Sequence, residues 1–227
     1  NLIVDFLTRN KVFTLGENKN EIFNYINQIK PNIIHMEEFP ELFMSDDITK
    51  QIYDSDDYYI TETSHTSTFY SHDKKYLPDH FVFPSPYQLK LHKSLDVSMS
   101  LGEYPIVYKK RPNRNKALTE IGLDPSYKHI IMVGLFTEGK NQKEIFDLAN
   151  SFKQYKVKFH FIGNQAGNFR NYWGPLMDSK PDNCIVHGER NDVDKFYSSC
   201  DLFYFSSTYE LCPLVIKEGI GWGIPIM

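Results

Sequence analysis

Two glutamates near the end of the sequence, Glu210 and Glu218, are separated by seven residues, and Pro213 lies between them. Proline favours the first turn of a helix, because its missing N–H needs no partner there and its φ is already helical. The N–H groups of Leu214 and Val215 would then be available to bind a phosphate. Glu218, about one and a half turns further along, could accept hydrogen bonds from a diol such as a ribose. The pattern predicts a site for a nucleoside diphosphate.

The segments around these residues have the pattern of a parallel α/β sheet. The run 201–207 is short, aromatic and bounded by polar residues, which predicts a buried strand before the loop that carries Glu210. Gly219, Gly221 and Gly223 predict close packing and an end to the helix, since they carry no side chain. A new strand is expected from Ile224. In chain order, the pattern therefore predicts a strand, a loop with the first glutamate, and a helix that carries the second glutamate.

The spacing Glu210-x7-Glu218, followed by Gly-Ile-Pro-Ile, resembles the signature of retaining glycosyltransferase family 4. The resemblance implies an α/β fold of GT-B type, with two Rossmann-like parallel-sheet domains facing a cleft, both incomplete in this chain. It also implies transfer of a sugar from a nucleotide diphosphate sugar to an acceptor, with retention at the anomeric carbon. An ordinary amphipathic helix with two solvated glutamates is the alternative.

In the family, the loop after the first strand of the second domain supplies an arginine directly after a glycine and a lysine five residues later. Both of these cations bind the diphosphate. Here the predicted strand 129–134 ends at Gly134, Lys140 holds the lysine position, and Leu135 stands where the arginine is expected. Arg190, in the loop after a later strand, could replace the missing charge, although an exposed arginine is the commoner interpretation.

Histidine and carboxylate side chains also follow two predicted strands in the first half. His35, Glu37 and Glu38 come at the end of the strand 32–35, where open α/β sheets bind ligands, so we expect them on the acceptor side. In the family, a histidine after the corresponding strand contacts the donor sugar. The resemblance therefore implies that His65 reaches this sugar across the cleft, while a hydrogen-bonded loop residue is the alternative.

The resemblance thus gives two groups of site residues. Catalytic roles fall to Glu210, which would hold the sugar hydroxyls, and to His65 and Lys140. Contacts with the nucleotide are expected from five further residues, namely Glu218, Leu214, Val215, Gly134 and Arg190.

Strand and helix patterns alternate along the chain and predict its domains. Helices are expected at 21–29, 48–53, 85–90, 115–122, 143–152, 168–177 and 193–199, and strands at 32–35, 58–61, 80–84, 129–134, 157–162, 184–187 and 202–205. We predict an N-terminal acceptor-side domain at 1–104, a linker at 105–114 and a nucleotide-sugar-binding domain at 115–227. The sequence opens without methionine and stops within a predicted strand, so a fragment lacking both ends is expected.

Composition limits the partners. The 227 residues include 41% hydrophobic and 15% aromatic residues, which is typical of a globular protein, and the net charge of −4 predicts no nucleic-acid partner. No apolar run approaches the roughly 20 residues that span a bilayer, and no signal peptide is visible. A peripheral membrane contact through regions outside this sequence is left open. The three cysteines, an odd number, favour a reducing compartment, so we expect a cytoplasmic protein.

No metal and no cofactor are predicted, and the donor is expected to be a UDP-, GDP- or ADP-sugar. The acid pairs Asp54-x-Asp56 and Asp192-x-Asp194 lie before a strand and at a helix start, where a metal role is not expected. Cys184 and His187 have metal-like spacing but should point to opposite faces of one strand. The acceptor could be a glycan, a lipid or a protein. A degenerate nucleotide-sugar-binding module is the main alternative, which Leu135 favours.

Overall fold

Two parallel α/β units make up the chain in a computed structural model that describes residues 21–38, 40–65 and 74–227. The first unit lies within residues 1–103 and the second within 104–227. In the described residues, each unit has a four-stranded parallel sheet, and helices lie in most of the connections between its strands. The predicted fold class is therefore confirmed. The predicted domain limits and the linker at 105–114 stay predictions.

The first unit contains α1 (Glu21–Ile29), β1 (Ile33–Glu37), α2 (Pro40–Phe43), α3 (Asp46–Tyr53), β2 (Tyr59–Thr63), β3 (His80–Phe83), α4 (Pro86–Leu91) and β4 (Ser98–Leu101). Its strands pair in the order β1-β2-β3-β4. Ile48, Ile52 and Ile60 form part of its core. Ser85 accepts a hydrogen bond from the Gln88 N–H at 3.2 Å, so the serine predicted to open α4 is a helix cap.

The second unit contains α5 (Arg114–Glu120), β5 (Lys128–Val133), α6 (Gln142–Ser151), β6 (Val157–Ile162), α7 (Arg170–Asp178), β7 (Cys184–Gly188), α8 (Val193–Ser199), β8 (Leu202–Phe203) and α9 (Leu214–Trp222). Short 3-10 turns at Glu138–Lys140 and Gly167–Phe169 precede α6 and α7. The sheet order is β7-β6-β5-β8, and Phe203 also pairs in parallel with Ile226.

The second sheet is buried on both faces, as its apolar strands predict. On one face, Met132, Phe159 and Phe161 pack with residues of α6 and α7. On the other face, Ile131 and Phe203 pack with residues of α8. Neighbouring residues of β5 thus belong to different clusters, because successive side chains of a strand point in opposite directions.

Several predicted element limits differ from the structure by one or two residues, and one strand was not predicted. The strand β4 was not predicted, because the polar and apolar residues of Ser98–Leu101 alternate over only four positions. The helix α9 begins at Leu214 instead of Pro213, whose ψ of 112° is extended. The helix predicted at 168–177 begins at Arg170, because the chain first makes the 3-10 turn Gly167–Phe169.

Residues 104–109, most of them in the predicted linker, run along α9. The Lys109 N–H donates to the Gly221 carbonyl at 2.7 Å, and Lys217 Nζ donates to the Tyr104 carbonyl at 2.7 Å. A Cβ atom on Gly221 would lie only 2.4 Å from the Val107 carbonyl oxygen. The predicted close packing of Gly221 is therefore confirmed, and the backbone of this segment is its partner.

Gly221→Ala should destabilise the second unit by about 1–3 kcal/mol, because the new methyl group meets a backbone oxygen, despite the better helix propensity of alanine. Both tryptophans, Trp173 and Trp222, lie in this unit, so tryptophan fluorescence during urea unfolding measures it. Gly167→Ala is the matched control, since a Cβ there meets no atom within 4 Å. Equal stability of the two variants would contradict the close contact at Gly221.

Three histidines form a hydrogen-bonded chain across the second sheet. His129 Nδ1 lies 2.8 Å from His160 Nε2, and His160 Nδ1 lies 2.9 Å from His187 Nε2. His129 Nε2 lies 2.9 Å from the carbonyl oxygen of Asp124. A carbonyl only accepts hydrogen bonds, so His129 must carry its hydrogen on Nε2. Each following imidazole must then donate through Nε2 as well, and all three share one neutral tautomer.

Burial lowers the pKa of all three imidazoles, that of His160 to about 3. For His160, the neighbouring His129 and His187 lower the pKa further, because a second positive charge there would be repelled. The charged groups that face the chain are Arg114, Asp124, Lys158, Arg190, Asp192 and Asp201. The folded state therefore keeps the imidazoles neutral where the unfolded chain takes up protons, near pH 6.5.

The second unit should lose stability as the pH falls below about 6.5, because the unfolded state then binds more protons than the folded state. His160 alone should cost about 1.4 kcal/mol of unfolding free energy for each pH unit below about 6. Urea unfolding at pH 7.5 and 5.5, followed by tryptophan fluorescence, measures the difference.

His160→Gln should reduce this pH dependence, since the amide can donate and accept but does not titrate. The same substitution at His80, in the first sheet, is the control and should leave the pH dependence of the second unit as it was. An undiminished pH dependence in His160→Gln would rule out His160 as its source.

Candidate functional site

Two loops meet at the carboxyl edge of the second sheet. The loop after β5 carries Lys140, and the loop after β8 carries Glu210. Lys140 Nζ forms an ion pair and hydrogen bond with Glu210 Oε1, and the two side chains are 27% and 22% exposed. The structure thus brings together two of the three predicted catalytic residues, and both remain accessible to a ligand.

At this edge of the sheet, two glycines allow the backbone at the ends of β5 and β6 to approach closely. A Cβ atom on Gly163, at the end of β6, would lie 2.0 Å from the Gly134 carbonyl oxygen, so only glycine fits there at its φ of +151°. A Cβ on Gly134 would lie 3.4 Å from Lys140 Cδ. Gly134, predicted to contact the nucleotide, therefore lies against the Lys140 side chain. Gly163 was not predicted as a site residue, although a glycine directly after a strand was the available signal.

The start of α9 lies directly after the loop that carries Glu210. Leu214 and Val215 form its first turn, where N–H groups lack partners within the helix. Glu218 follows one turn later, is exposed, and its carboxylate lies beside the Tyr197 hydroxyl, whose pKa is raised first by burial and then by this carboxylate. Glu218 also lines a cavity of about 330 Å³ with Leu214 and Tyr104. A ligand can therefore reach Glu218.

Arg190 lies in the loop after β7 and is already paired. Its Nε and one terminal nitrogen donate to the two carboxylate oxygens of Asp192 at 2.8 and 2.9 Å, and its guanidinium lies 5.7 Å from the Phe196 ring. Leu135 offers no charge, and its carbonyl accepts a hydrogen bond from Gln142 at 2.9 Å. Lys140 is thus the predicted phosphate cation that lies beside Glu210, while the charge of Arg190 is balanced by Asp192.

The predicted residues of the first unit also lie together, at the ends of β1 and β2. The Glu37 carboxylate bridges two imidazoles, with Oε1 3.1 Å from His35 Nε2 and Oε2 2.6 Å from His65 Nε2. Glu38 accepts a hydrogen bond from the His65 N–H at 3.2 Å. Thr61 joins the group through a 2.6 Å contact with His35 Nδ1. Thr61 was not predicted as a site residue, although parallel pairing places it opposite His35.

Residues 66–69, which follow His65, lie outside the described part of the chain.

The side chains with metal-like spacing in the second unit either bind other protein groups or point to opposite faces of the sheet. Asp194 accepts hydrogen bonds from Lys109 and Trp222, whereas its neighbour Asp192 binds Arg190. Cys184 packs with Phe159 on one face of the sheet and His187 contacts Phe196 on the other, so the predicted opposite orientation is confirmed. Within residues 21–38, 40–65 and 74–227, no group of three His, Cys, Asp or Glu side chains is placed to hold a metal ion.

The three cysteines are free thiols, and burial raises the pKa of Cys184 and Cys200 to about 12. None of the helices in the described residues is both long and apolar enough to cross a membrane.

Solved structures of GT-B glycosyltransferases resemble this chain. HepE of Anabaena, in complex with UDP-glucose, has a TM-score of 0.75 and 14% identity, over 100% of this chain and 69% of HepE. A sucrose-phosphate synthase from Thermosynechococcus elongatus has a TM-score of 0.73 and 13% identity, over 96% of this chain. A glycosyltransferase from Rickettsia africae has a TM-score of 0.72 and 14% identity, over 100% of this chain and 68% of its own. This chain spans 63% of the sucrose-phosphate synthase, and at these identities the likeness shows the fold alone.

Sequence comparison gives the family. No curated protein matches the sequence. The profile of the family described as Glycosyl transferases group 1 matches residues 113–227, which is half of the chain. The matched region runs from α5 to the end of the chain and includes Lys140, Glu210 and Glu218. The chain therefore belongs to the Glycosyl transferases group 1 family.

Proposed function

We propose that the protein transfers a sugar from a nucleotide diphosphate sugar to an acceptor and retains the configuration at the anomeric carbon. The observation that carries the proposal is the contact between Lys140 and Glu210 at the carboxyl edge of the second sheet, next to the start of α9. Ligands of open parallel sheets bind at this edge. The pair offers a cation for a diphosphate and a carboxylate for sugar hydroxyls within one accessible site.

The diphosphate would lie between Lys140 and the first turn of α9. As the bond between the anomeric carbon and the diphosphate oxygen breaks, negative charge develops on that oxygen. The Lys140 ammonium and the N–H groups of Leu214 and Val215 would stabilise this charge without reorganising. Glu210 balances part of the Lys140 charge, so the site attracts the free diphosphate less strongly than an unpaired lysine would.

Glu210 and Glu218 would bind two different parts of the donor. Glu210, in the loop before the helix, would hold hydroxyl groups of the sugar, and Glu218, further along α9, would accept hydrogen bonds from the ribose. Retention rests on the resemblance of the Glu210-x7-Glu218 signature. The incoming hydroxyl would attack from the face that the diphosphate leaves, and its proton would pass to the departing diphosphate.

Leu135 supports a second candidate, a module that binds nucleotide sugars without turning them over. An arginine at this position would add a second cation for the diphosphate, and the Arg190 guanidinium is held by Asp192. With fewer cations the leaving diphosphate is stabilised less, and the rate falls more than the affinity does.

Other features belong to the same proposal. The protein would be a retaining member of glycosyltransferase family 4, and this chain would be part of a longer enzyme. His65 would contribute to the sugar site, and the acceptor would be a glycan, a lipid or a protein. We also propose a cytoplasmic location, with peripheral membrane contact through regions outside this sequence.

Turnover by the full-length protein tests the proposal. UDP-, GDP- and ADP-glucose would be offered with and without acceptors, and the free nucleotide and the product would be measured. HepE was solved with UDP-glucose, which makes that donor the first to test. Release of UDP and a product with the anomeric configuration of the donor, seen by NMR, would support a retaining transferase. Binding without turnover would favour the binding module, and inversion would exclude retention.

Glu210→Gln should lower the single-turnover rate at least about tenfold, which corresponds to about 1.4 kcal/mol of barrier. Free UDP should bind at least as tightly as to the native protein, since the substitution removes the negative charge beside Lys140. A single-turnover measurement keeps tighter product binding from mimicking slower chemistry. Glu138→Gln, which removes an exposed carboxylate two residues from Lys140, is the control for net charge. An unchanged rate in Glu210→Gln would exclude the proposed sugar contact.

Glu218→Ala should weaken the binding of UDP by about 1.5–3 kcal/mol, the range for a hydrogen bond to a charged group. The binding free energy of uridine should fall by as much as that of UDP, because both ligands carry the ribose. The ligand 2′,3′-dideoxy-UDP is the matched control and should bind the native protein and the variant equally. A loss with this ligand as large as with UDP would contradict a contact between Glu218 and the ribose hydroxyls.

A further inference from the structure

The 3-10 turn Glu138–Lys140 positions Lys140, the proposed phosphate cation. The hydrogen bonds within this turn are long. The Lys140 N–H donates to the Thr137 carbonyl at 3.1 Å and approaches the Thr137 hydroxyl at 3.4 Å. Asn141, directly after the turn, has a left-handed φ of 53°. Glu138 and Gly139 are exposed. Such a short exposed turn needs contacts from outside to keep one conformation.

The loop after β8 supplies these contacts. The Ser206 hydroxyl donates to the Lys140 carbonyl at 2.8 Å, and Ser206 is only 7% exposed. The Thr208 N–H donates to the Gly139 carbonyl at 2.9 Å, and the Thr208 hydroxyl lies 3.3 Å from the same oxygen. Two successive carbonyls of the turn are therefore held by one loop.

The same loop also holds the other end of Lys140. Its ammonium contacts Glu210, four residues after Ser206 in sequence, while its carbonyl is bonded to the Ser206 hydroxyl. A lysine side chain has many rotamers, so a fixed backbone and a fixed ammonium together remove most of its freedom. The position of the ammonium then depends on where the turn is held against the loop.

We propose that Ser206 is a positioning residue that sets the place of Lys140 for the diphosphate. This inference rests on the proposed function and adds a residue to its site. Ser206 acts through Lys140, because its hydroxyl is bonded to the carbonyl of that residue. The Thr208 N–H belongs to the backbone and remains in any variant of Thr208. The hydrogen bond from the Ser206 hydroxyl to the Lys140 carbonyl, in contrast, can be removed by one substitution.

Calorimetry with UDP and uridine on the full-length protein tests the role of Ser206. Ser206→Ala should weaken UDP binding about fivefold, the equivalent of one ordinary hydrogen bond, and change uridine binding less than about twofold. In the background of Lys140→Ala, Ser206→Ala should cause no further loss, because the residue through which it acts is gone. Ser206→Thr keeps the hydroxyl, so its affinity for UDP should be close to that of the native protein.

Ser199→Ala is the matched control. Ser199 is fully buried, and its hydroxyl donates to the carbonyl of another lysine, Lys195, at 2.6 Å in α8. This variant loses the same kind of hydrogen bond away from the Lys140 loop, so its UDP affinity should stay native even where its unfolding midpoint falls. A fall in UDP affinity in Ser199→Ala equal to that in Ser206→Ala would reduce the effect to general destabilisation and overturn the proposal.

Other outcomes separate this inference from the proposed function. UDP binding that falls in Lys140→Ala but stays native in Ser206→Ala would overturn the role of Ser206 alone. A further fivefold loss from Ser206→Ala in the Lys140→Ala background would show that Ser206 acts independently of Lys140, which also overturns it. A native protein that binds none of UDP, GDP and ADP would overturn the proposed function, and the role of Ser206 with it.

Discussion

Parallel pairing of β5 with β8 puts the carboxyl ends of both strands at the same edge of the second sheet. Lys140 and Glu210 follow these ends and come into contact although they are 70 positions apart in sequence. At the same edge, Gly163 allows the ends of β5 and β6 to approach closely, because a Cβ atom there would meet the Gly134 carbonyl oxygen. The loops are then tied by Ser206 and Thr208. Each part of the site depends on strands that run in the same direction.

Much of the fold could be predicted from local patterns. The limits of α1 and α8 agree with the structure at both ends, because apolar periodicity and flanking polar residues mark them. The alternation of strand and helix patterns correctly predicted parallel sheets. The strand β4 escaped prediction because its alternating pattern covers only four residues, and its parallel pairing with β3 cannot be read from those residues alone. The one-residue shift at Pro213 depends on ψ, which the proline ring does not fix.

The chemistry of the site was harder to predict than its location. Residue spacing indicated Glu210 and Glu218, and the family resemblance indicated Lys140, but an ion pair between Lys140 and Glu210 depends on strand order and loop shape. The same applies to Arg190, whose Nε and one terminal nitrogen donate to Asp192, two positions away. Ser206 carries no sequence signal of its own, because a serine after a strand is common and only the structure reveals its acceptor.

The histidine chain has a consequence for how distant parts of the second sheet are linked. The Asp124 carbonyl fixes the hydrogen of His129, and this choice passes through His160 to His187. No single imidazole can exchange its donor and acceptor nitrogens unless the other two do so as well. A turn before β5 thereby dictates which nitrogen of His187 accepts a hydrogen bond, just before the loop that carries Arg190. The three rings form one aligned row of dipoles, and their order is transmitted across the sheet without any displacement of the backbone.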